Sequence, residues 1–349
     1  MKSIDVIIPL YNGALYIRET LNSVLAQTLR PNKIIVVDDS STDDSFSLVY
    51  DQPEILLLKN PGKGACMARN HGVEHSSADF VAFLDQDDLW HPDHLRLMIN
   101  AFTHHPDAQA AISGINFCRK FPPDYDLRDI SFYLWDPWQS FPFISENHST
   151  SGMVFRRAQF KKSGGWAVRH GAQADYFAWY RSAIDAPAIK MKGVTLGYRS
   201  QLDSGWMSEL RKDIPVLITS LIETANDLIA INLAKEADLA KELNLRRRIA
   251  VYHVIYSLIN NLKQDRDGLI PRDIQMIEEI LTCETEHFRR YFMLDLDYFT
   301  KHFSENQERL RVQYILKLQK LCSAQWVYSK NIFSALLGQA VPNLSNYER

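Results

Sequence analysis

Carboxylates follow two apolar runs of the sequence, at the points where those runs end. Asp38 and Asp39 follow KIIVV, and Asp85, Asp87 and Asp88 follow FVAFL. Carboxylates gathered in one loop repel one another unless a cation is present. A site made of oxygen ligands alone is typical of Mg²⁺ or Mn²⁺ rather than of zinc, and such an ion commonly completes its shell with water and phosphate oxygens. The pattern therefore predicts metal-assisted chemistry on a phosphate-bearing ligand.

These acidic residues are positioned by an alternation of strand and helix patterns. Short apolar runs predict four buried strands, at Ile4–Leu10, Lys33–Val37, Ile55–Leu58 and Asp79–Leu84, and segments with helical spacing separate them. Such alternation is typical of a parallel sheet covered on both faces by helices. Because the carboxyl ends of parallel strands share one edge of a sheet, we expect both acidic groups at that edge.

Composition changes near residue 210. The first 210 residues hold 12 of the 14 glycines and 11 of the 14 prolines, and the remainder is rich in apolar residues at helical spacing. Turn-rich sequence that gives way to turn-poor sequence marks a change from α/β to helical structure. We therefore predict an α/β domain over residues 1–210 and a mainly α-helical C-terminal domain over 211–349, which could cover the site or form a homo-oligomer.

Charge, cysteine content and hydropathy exclude several classes of protein. The chain carries 39 basic and 42 acidic side chains, so no basic field argues for nucleic acid as a partner. The four cysteines form no C-x-x-C pair, so neither a disulfide framework nor a zinc site is indicated. The N-terminus lacks a signal-peptide pattern, and acidic residues interrupt the longest apolar stretch, Ile214–Ala234. We expect a cytoplasmic protein without a transmembrane segment.

One basic run stands beside an apolar segment in the C-terminal part. Arg246–Arg248 precedes the helical pattern of Ile249–Leu262. A basic amphipathic helix is typical of peripheral contact with a membrane surface, and a basic run is also common on a solvated helix face. The sequence leaves open whether the protein contacts the inner face of a membrane.

Taken in order, the motifs resemble those of the inverting family 2 glycosyltransferases of the GT-A fold. They are PLYN (9–12), VVDDSS (36–41), GKGACMARN (62–70), DQDD (85–88), STSGMVFRR (149–157) and GGW (164–166) followed by ADYFAWYR (174–181). The resemblance extends from about residue 3 to 200 and leaves the C-terminal part uncovered. It implies a mostly parallel sheet flanked by helices, a nucleotide-sugar donor and a hydroxyl acceptor.

For the donor nucleotide, the resemblance implies a set of contacts at the ends of the first two strands. The backbone of Pro9 and Leu10 and the ring of Tyr11 would contact the base, because an aromatic face stacks on a nucleobase. One carboxylate of Asp38 and Asp39 would accept a hydrogen bond from the ring N–H of the base, and Asp39 is favoured. UDP is the nucleotide that the resemblance favours.

The D-x-D of the family corresponds to residues 85–87. By resemblance, Asp85 faces the ribose and the metal, and Asp87 binds the Mn²⁺ or Mg²⁺ that bridges the two donor phosphates. The metal would stabilise the departing nucleoside diphosphate as a Lewis acid. Gln86 would lie at the donor nucleotide, and Arg69 would reach either the nucleotide or the acidic cluster. Asp88 is assigned mainly to the structure of the loop.

Inversion at the anomeric carbon requires one displacement by an acceptor hydroxyl, with a general base that takes its proton. By resemblance this base is Asp175, which follows Gly164-Gly165-Trp166. The Glu that usually precedes it in the family is Ala174 here, which puts in doubt any acceptor contact made by that Glu. The aromatic, proline-rich residues 119–150 predict an irregular loop beside the acceptor, which we expect to be a glycan or a lipid-linked saccharide.

Other classes of protein fit less well. A phospho-receiver domain would need a Lys-Pro pair, which the chain lacks, and an NAD enzyme would need G-x-G-x-x-G where PLYNGA follows the first strand. A domain of the same fold that binds a nucleotide sugar without catalysing transfer is the alternative. The presence of Asp85, Asp87 and Asp175 favours the enzyme.

Overall fold

A computed structural model describes residues 2–50, 52–117, 127, 130–135, 149–168, 174–182, 186–199, 223–224, 226–228 and 230–231. The chain divides into two compact units, and every described residue belongs to the first, which comprises Met1–Phe141, Asn147–Ser208 and Glu223–Glu242. The predicted helical domain over 211–349 lies almost entirely outside the described residues. The domain boundary near residue 210 therefore stays a prediction.

A nine-stranded sheet and the helices packed on it form the described part of the chain. The strands are β1 (Ile4–Leu10), β2 (Lys33–Asp38), β3 (Ile55–Lys59), β4 (Phe80–Phe83), β5 (Leu89–Trp90), β6 (Ala110–Phe117), β7 (Ser131–Trp135), β8 (Met153–Arg156) and β9 (Ala188–Tyr198). The helices are α1 (Ile17–Leu25), α2 (Ser45–Tyr50), α3 (Ala65–Glu74), α4 (His94–His104), α5 (Arg157–Lys162) and α6 (Ala174–Ser182).

The sheet has a parallel half and a mixed half. Its strand order is β3-β2-β1-β4-β8-β6-β9-β5, with β7 paired to β9. The first four strands are parallel to one another, as the alternation predicted. Beyond β4 the described pairings are antiparallel, apart from that of β6 with β9. The α/β class with flanking helices is thus confirmed, and the parallel arrangement holds for the half that carries the two acidic groups.

Burial explains why β1 stands inside the sheet. All seven of its residues are buried, as expected for a strand paired on both sides and packed on both faces. The edge strand β3 instead leaves Leu56 and Lys59 exposed. Helix α3 lies close to β1 at Gly72, where a Cβ would stand 2.5 Å from Cγ2 of Ile7. A side chain larger than hydrogen at this position would push α3 away from the strand.

The structure also tests the predictions of an irregular loop over residues 119–150 and of no transmembrane segment. Within residues 119–150, predicted to be an irregular loop, Ser131–Trp135 forms strand β7 against β9. The aromatic residues that obscured any periodicity there are also favourable in strands, so this part of the prediction was wrong. In the described part of the chain, no helix combines the length and the apolar character needed to span a bilayer.

Candidate active site

The structure brings the two acidic loops to one edge of the sheet, as predicted. Strands β2 and β4 flank β1 and run parallel to it, so the carboxyl ends of all three lie side by side. Asp38 ends β2 opposite Leu10, and Asp85 follows β4 after one intervening residue. We call residues 38–41 the first acidic loop and residues 85–88 the second.

Amide groups hold the carboxylates of the first acidic loop. Asp38 is buried and accepts a hydrogen bond of 3.2 Å from the backbone N–H of Ser41. Asp39 accepts from Nδ2 of Asn60 at 2.6 Å and from the backbone N–H of Gly64 at 2.7 Å. Gly64 has φ +93°, a conformation that favours glycine. Asp39 thereby ties the glycine-rich segment before α3 to the end of β2, and each of its oxygens retains a second lone pair.

Tyr11 presents an exposed ring just beyond the end of β1. Tyr11 is 55% exposed, whereas Pro9 and Leu10 are buried and the Leu10 carbonyl accepts a hydrogen bond from the backbone N–H of Asp39. Of the three residues predicted to contact the base, Tyr11 is therefore the one that the structure exposes to a ligand. The backbone of Tyr11 is held by Gln86 of the second acidic loop through two hydrogen bonds. The predicted base contacts therefore lie next to the first acidic loop and are connected to the second.

The second acidic loop is crowded with negative charge. Burial raises the pKa of Asp87 to about 6, and the neighbouring charge of Asp85 adds to the effect. Burial also raises the pKa of Asp88, again with help from the charges of Asp87 and Asp85. Asp88 is fully buried and accepts hydrogen bonds from the Ser151 hydroxyl at 2.5 Å and the Arg199 backbone N–H at 3.0 Å. These contacts agree with its assignment to the structure of the loop.

Ser151 connects the members of the second acidic loop and was not identified from the sequence. Its buried hydroxyl accepts a hydrogen bond from the backbone N–H of Asp85 at 3.0 Å and donates to Asp88. Its carbonyl accepts a 2.6 Å hydrogen bond from the indole N–H of Trp90. The segment STSGMVFRR belongs to the resemblance, so it was a signal, but nothing local to a serine predicts partners more than 60 residues away.

Arg69 brings a positive charge to the second acidic loop, and the charge of Arg199 also acts on Asp87 there. Nη2 of the buried Arg69 side chain lies 2.5 Å from an oxygen of Asp85, and the guanidinium carbon lies 5.1 Å from the ring centroid of Trp166. Burial acts to lower the pKa of Arg69, but neighbouring charges, chiefly that of Asp85 and also that of Asp175, raise it above its ordinary value. Of the two partners predicted for Arg69, the structure places it with the acidic cluster.

Asp175 lies in the first turn of α6, on the mixed half of the sheet, and is partly buried. Its charge acts on Arg69, which also binds Asp85. The same two carboxylates act on Cys66, where burial raises the thiol pKa, with Asp175 and Asp85 adding to it and Arg69 opposing it. The structure therefore brings the predicted base into the neighbourhood of the D-x-D.

Asn70, the residue after Arg69, fastens the segment that leads to α6. Its side chain donates to the carbonyl of Trp166 at 2.8 Å and accepts from the N–H of Trp166 at 2.9 Å. The preceding Gly165 has φ +66°, and a Cβ there would lie 2.6 Å from Oδ1 of Asn70. Consecutive residues of α3 therefore hold Asp85 and the Gly-Gly-Trp turn. Asn70 was also missed in the sequence, because its partner is 96 residues away.

Asp85 and Asp87 are the residues that could hold a divalent cation. Among the described residues, no group of three or more His, Cys, Asp or Glu could hold a metal ion by itself. Two carboxylates are sufficient for Mg²⁺ or Mn²⁺ where phosphate oxygens and water complete the shell. A cation would also offset the repulsion that, after burial, raises the pKa of Asp87. The residues present fit a cation that binds together with a phosphate-bearing ligand.

Comparison of the sequence with known families and proteins gives a consistent result. Residues 5–166 match the family model Glycosyl transferase family 2. An uncharacterized glycosyltransferase of Nostoc sp. is 32% identical over 183 residues, which cover 46% of this chain and 52% of the relative. The succinoglycan biosynthesis protein ExoW of Rhizobium meliloti is 40% identical over 112 residues, or 29% of this chain and 34% of that protein. The matched region thus spans about half or less of the length of each of these curated relatives.

Solved structures with the same fold include TarS of S. aureus. One TarS structure has a TM-score of 0.55 and 16% sequence identity, and the match covers 92% of this chain and 55% of that one. A structure of TarS 1–349 in complex with UDP-GlcNAc has a TM-score of 0.54 and 17% identity, with 98% of this chain and 93% of that chain covered. At this identity the likeness establishes the fold, which is the GT-A-like fold that the motifs implied.

Proposed function

We propose, from the match of residues 5–166 to the family model Glycosyl transferase family 2, that the chain transfers a sugar, with inversion, from a UDP-sugar to a hydroxyl group of a glycan or lipid-linked saccharide. The UDP donor is supported by the TarS structure of the same fold, which holds UDP-GlcNAc. A polysaccharide acceptor is supported by the relative ExoW, a succinoglycan biosynthesis protein.

A single observation carries the proposal, namely that Arg69 forms an ion pair with a carboxylate at the end of β4 while the charge of a second carboxylate, on helix α6, also acts on it. It forms an ion pair with Asp85, at the end of a parallel strand, and its pKa responds to the charge of Asp175 in α6. Two carboxylates with separate tasks near one buried arginine are what a single displacement needs, one at the leaving group and one at the nucleophile. An ordinary surface loop has no reason to assemble them.

On the donor side, the exposed ring of Tyr11 is a face on which the base stacks. Asp39, whose carboxylate is oriented by Asn60 and Gly64, accepts a hydrogen bond from the ring N–H of the base through a remaining lone pair. Asp85 and Asp87 hold Mg²⁺ or Mn²⁺. When bound, that ion supplies Lewis-acid stabilisation of the diphosphate leaving group.

On the acceptor side, Asp175 accepts the proton of the acceptor hydroxyl. The hydroxyl oxygen forms a bond to the anomeric carbon while the bond from that carbon to the β-phosphate oxygen breaks, and the nucleoside diphosphate leaves with the electron pair. Because attack and departure take place on opposite faces, the configuration inverts. Arg69 holds Asp85 in place, and its positive charge acts on both carboxylates and limits their mutual repulsion.

Calorimetric titration of UDP, GDP and CMP, with and without Mn²⁺, tests the donor site. We expect UDP to bind in a Mn²⁺-dependent manner, and Asp87→Asn to abolish that dependence. Asp107→Asn is the matched control, because Asp107 is exposed and lies before β6, at the opposite edge of the sheet. Absence of nucleotide binding by the wild type under every condition would contradict the proposal.

Release of UDP from a panel of UDP-sugars, with water or saccharides as acceptors, tests catalysis. Asp175→Asn should retain UDP affinity and lower turnover by roughly 10²–10⁴-fold, the usual contribution of a general base. If the wild type binds UDP-sugars but releases no UDP from any of them, the chain is instead a nucleotide-sugar-binding module without catalysis.

The wider setting remains a proposal as well. We propose a cytoplasmic enzyme whose C-terminal residues form an oligomer interface or a peripheral membrane contact, for which Arg246–Arg248 is the sequence feature. These residues lie outside the described part of the chain. Co-sedimentation with anionic vesicles at low and high salt tests the membrane contact, and absence of binding at low salt would exclude it.

A further inference from the structure

Gln86 stands between the two carboxylates of the D-x-D, yet its side chain bonds to a different loop. Its Oε1 accepts a 2.7 Å hydrogen bond from the backbone N–H of Tyr11, and its Nε2 donates a 2.8 Å hydrogen bond to the carbonyl of Tyr11. A primary amide that donates to and accepts from one residue reproduces the bonding of a neighbouring β-strand. The side chain of Gln86 therefore extends the hydrogen bonding of the sheet by one residue past the end of β1.

The surroundings leave little freedom to this contact. Thr20 donates a 2.8 Å hydrogen bond to the backbone carbonyl of Gln86, which holds the loop from the side of α1. At Gly13 a Cβ would lie 2.6 Å from both Cδ and Oε1 of Gln86. The amide of Gln86 thus occupies the space that a side chain at position 13 would need.

We propose that Gln86 is a positioning residue, an inference that rests on the proposed function. Gln86 sets the aromatic face of Tyr11 at a fixed distance from the carboxylates of Asp85 and Asp87. The base and the diphosphate of one donor are bound at these two places. Because Gln86 belongs to the same loop as the carboxylates and bonds to the backbone of Tyr11, the two ends of the donor site move as one unit. Nucleotide recognition is thereby coupled to the position of the metal ligands.

This role predicts an effect confined to the base end of the ligand. Gln86→Leu keeps a side chain of similar bulk but removes both hydrogen bonds, so the backbone of Tyr11 loses its partner. UDP affinity in the presence of Mn²⁺ should fall about tenfold, the order of one misaligned base-stacking contact. The affinity for pyrophosphate, which has no base, should be unchanged.

Calorimetry on the full chain with UDP and with pyrophosphate, each in Mn²⁺, makes the test. Gly13→Ala is the second variant, since its Cβ displaces the Gln86 amide without removing it and should produce the same selective loss. Gln109→Leu is the matched control, because Gln109 precedes β6 at the opposite edge of the sheet and bonds locally to the carbonyl of Asp107. It should alter neither affinity.

Three results would overturn the inference. If Gln86→Leu and Gly13→Ala bind UDP as tightly as the wild type, the contact does not position the base platform. If UDP and pyrophosphate affinities fall together, the residue maintains the loop in general and does not couple its two ends. If the wild type binds pyrophosphate with Mn²⁺ but no nucleotide, the proposed function itself fails and this inference fails with it.

Discussion

The two acidic loops flank the same strand, but their carboxylates are stabilised in different ways. In the first loop, Asp38 and Asp39 accept hydrogen bonds from amide groups of Ser41, Asn60 and Gly64. In the second loop, three carboxylates crowd together around one ion pair from Arg69, and burial with mutual repulsion raises the pKa of Asp87 and Asp88. Carboxylates oriented by fixed amide dipoles are suited to accept a hydrogen bond from a ligand. Carboxylates crowded together are suited to bind a cation.

The largest effect expected from this difference follows removal of Asp87. Asp87→Asn should lower sugar transfer about 10³-fold, because it removes a ligand of the ion that assists the leaving group. At pH 8 without metal, the same variant should melt about 2–4 °C higher than the wild type, since it removes a buried charge and its repulsion by Asp85, together worth on the order of 1 kcal/mol. Calorimetric melting in EDTA measures this gain. A lower melting temperature would show that the loop is not electrostatically strained.

Removal of the Arg69 guanidinium should change the stability of the fold in the opposite direction. Arg69→Met leaves Asp85 without its partner and should destabilise the fold by about 2 kcal/mol, less than the ~3–5 kcal/mol of a fully buried pair because Asp85 is 30% exposed. Denaturant titration would measure it, and Arg69→Lys, which keeps the charge, should recover part of the loss. An unchanged midpoint would mean that solvent screens Asp85 well.

The pH dependence of the Asp87→Asn effect sharpens the comparison further. The pKa of Asp87 in the fold is about 6, above its ordinary value of 3.8, so ionisation costs stability in the folded state. The stability that the protonated form of Asp87 contributes is fully present below pH 3.8 and is lost as the pH rises through 6. The melting advantage of Asp87→Asn should therefore be small near pH 4 and reach its full size above pH 7. A difference independent of pH would assign it to packing.

A smaller loss of stability than that of Arg69→Met is expected in the first loop. Asn60→Ala removes one amide donor from Asp39 and should cost about 1–2 kcal/mol of stability, since the carboxylate keeps its bond to Gly64. Denaturant unfolding measures the cost, and UDP calorimetry should show weaker binding as the carboxylate loses its orientation. A rise in stability would place Asp39 with the crowded carboxylates and remove the contrast between the loops.

Much of the donor half could be predicted because its signals are local. A short apolar run bounded by turn residues is sufficient to predict β1 or β4, and parallel pairing then requires that Asp38 and Asp85 meet at one edge. The role predicted for Asp175 rests on the order of the motifs alone. No local pattern predicts that the charges of Asp175 and Asp85 both act on Arg69, because these residues are distant in the sequence.

The rest depended on distant contacts. Ser151, Asn70 and Gln86 are polar side chains whose partners lie 66, 96 and 75 residues away. Hydropathy does not reveal such pairs. It also did not reveal strand β7 within the predicted irregular loop, because that segment becomes a strand by pairing with β9. Chain periodicity and residue type were sufficient to predict the α/β class, the acidic strand ends and the family motifs. Which amide holds which loop, and the pairing of Arg69 with Asp85, follow from the folded arrangement, because directional hydrogen bonds and buried charges depend on atoms that folding brings together.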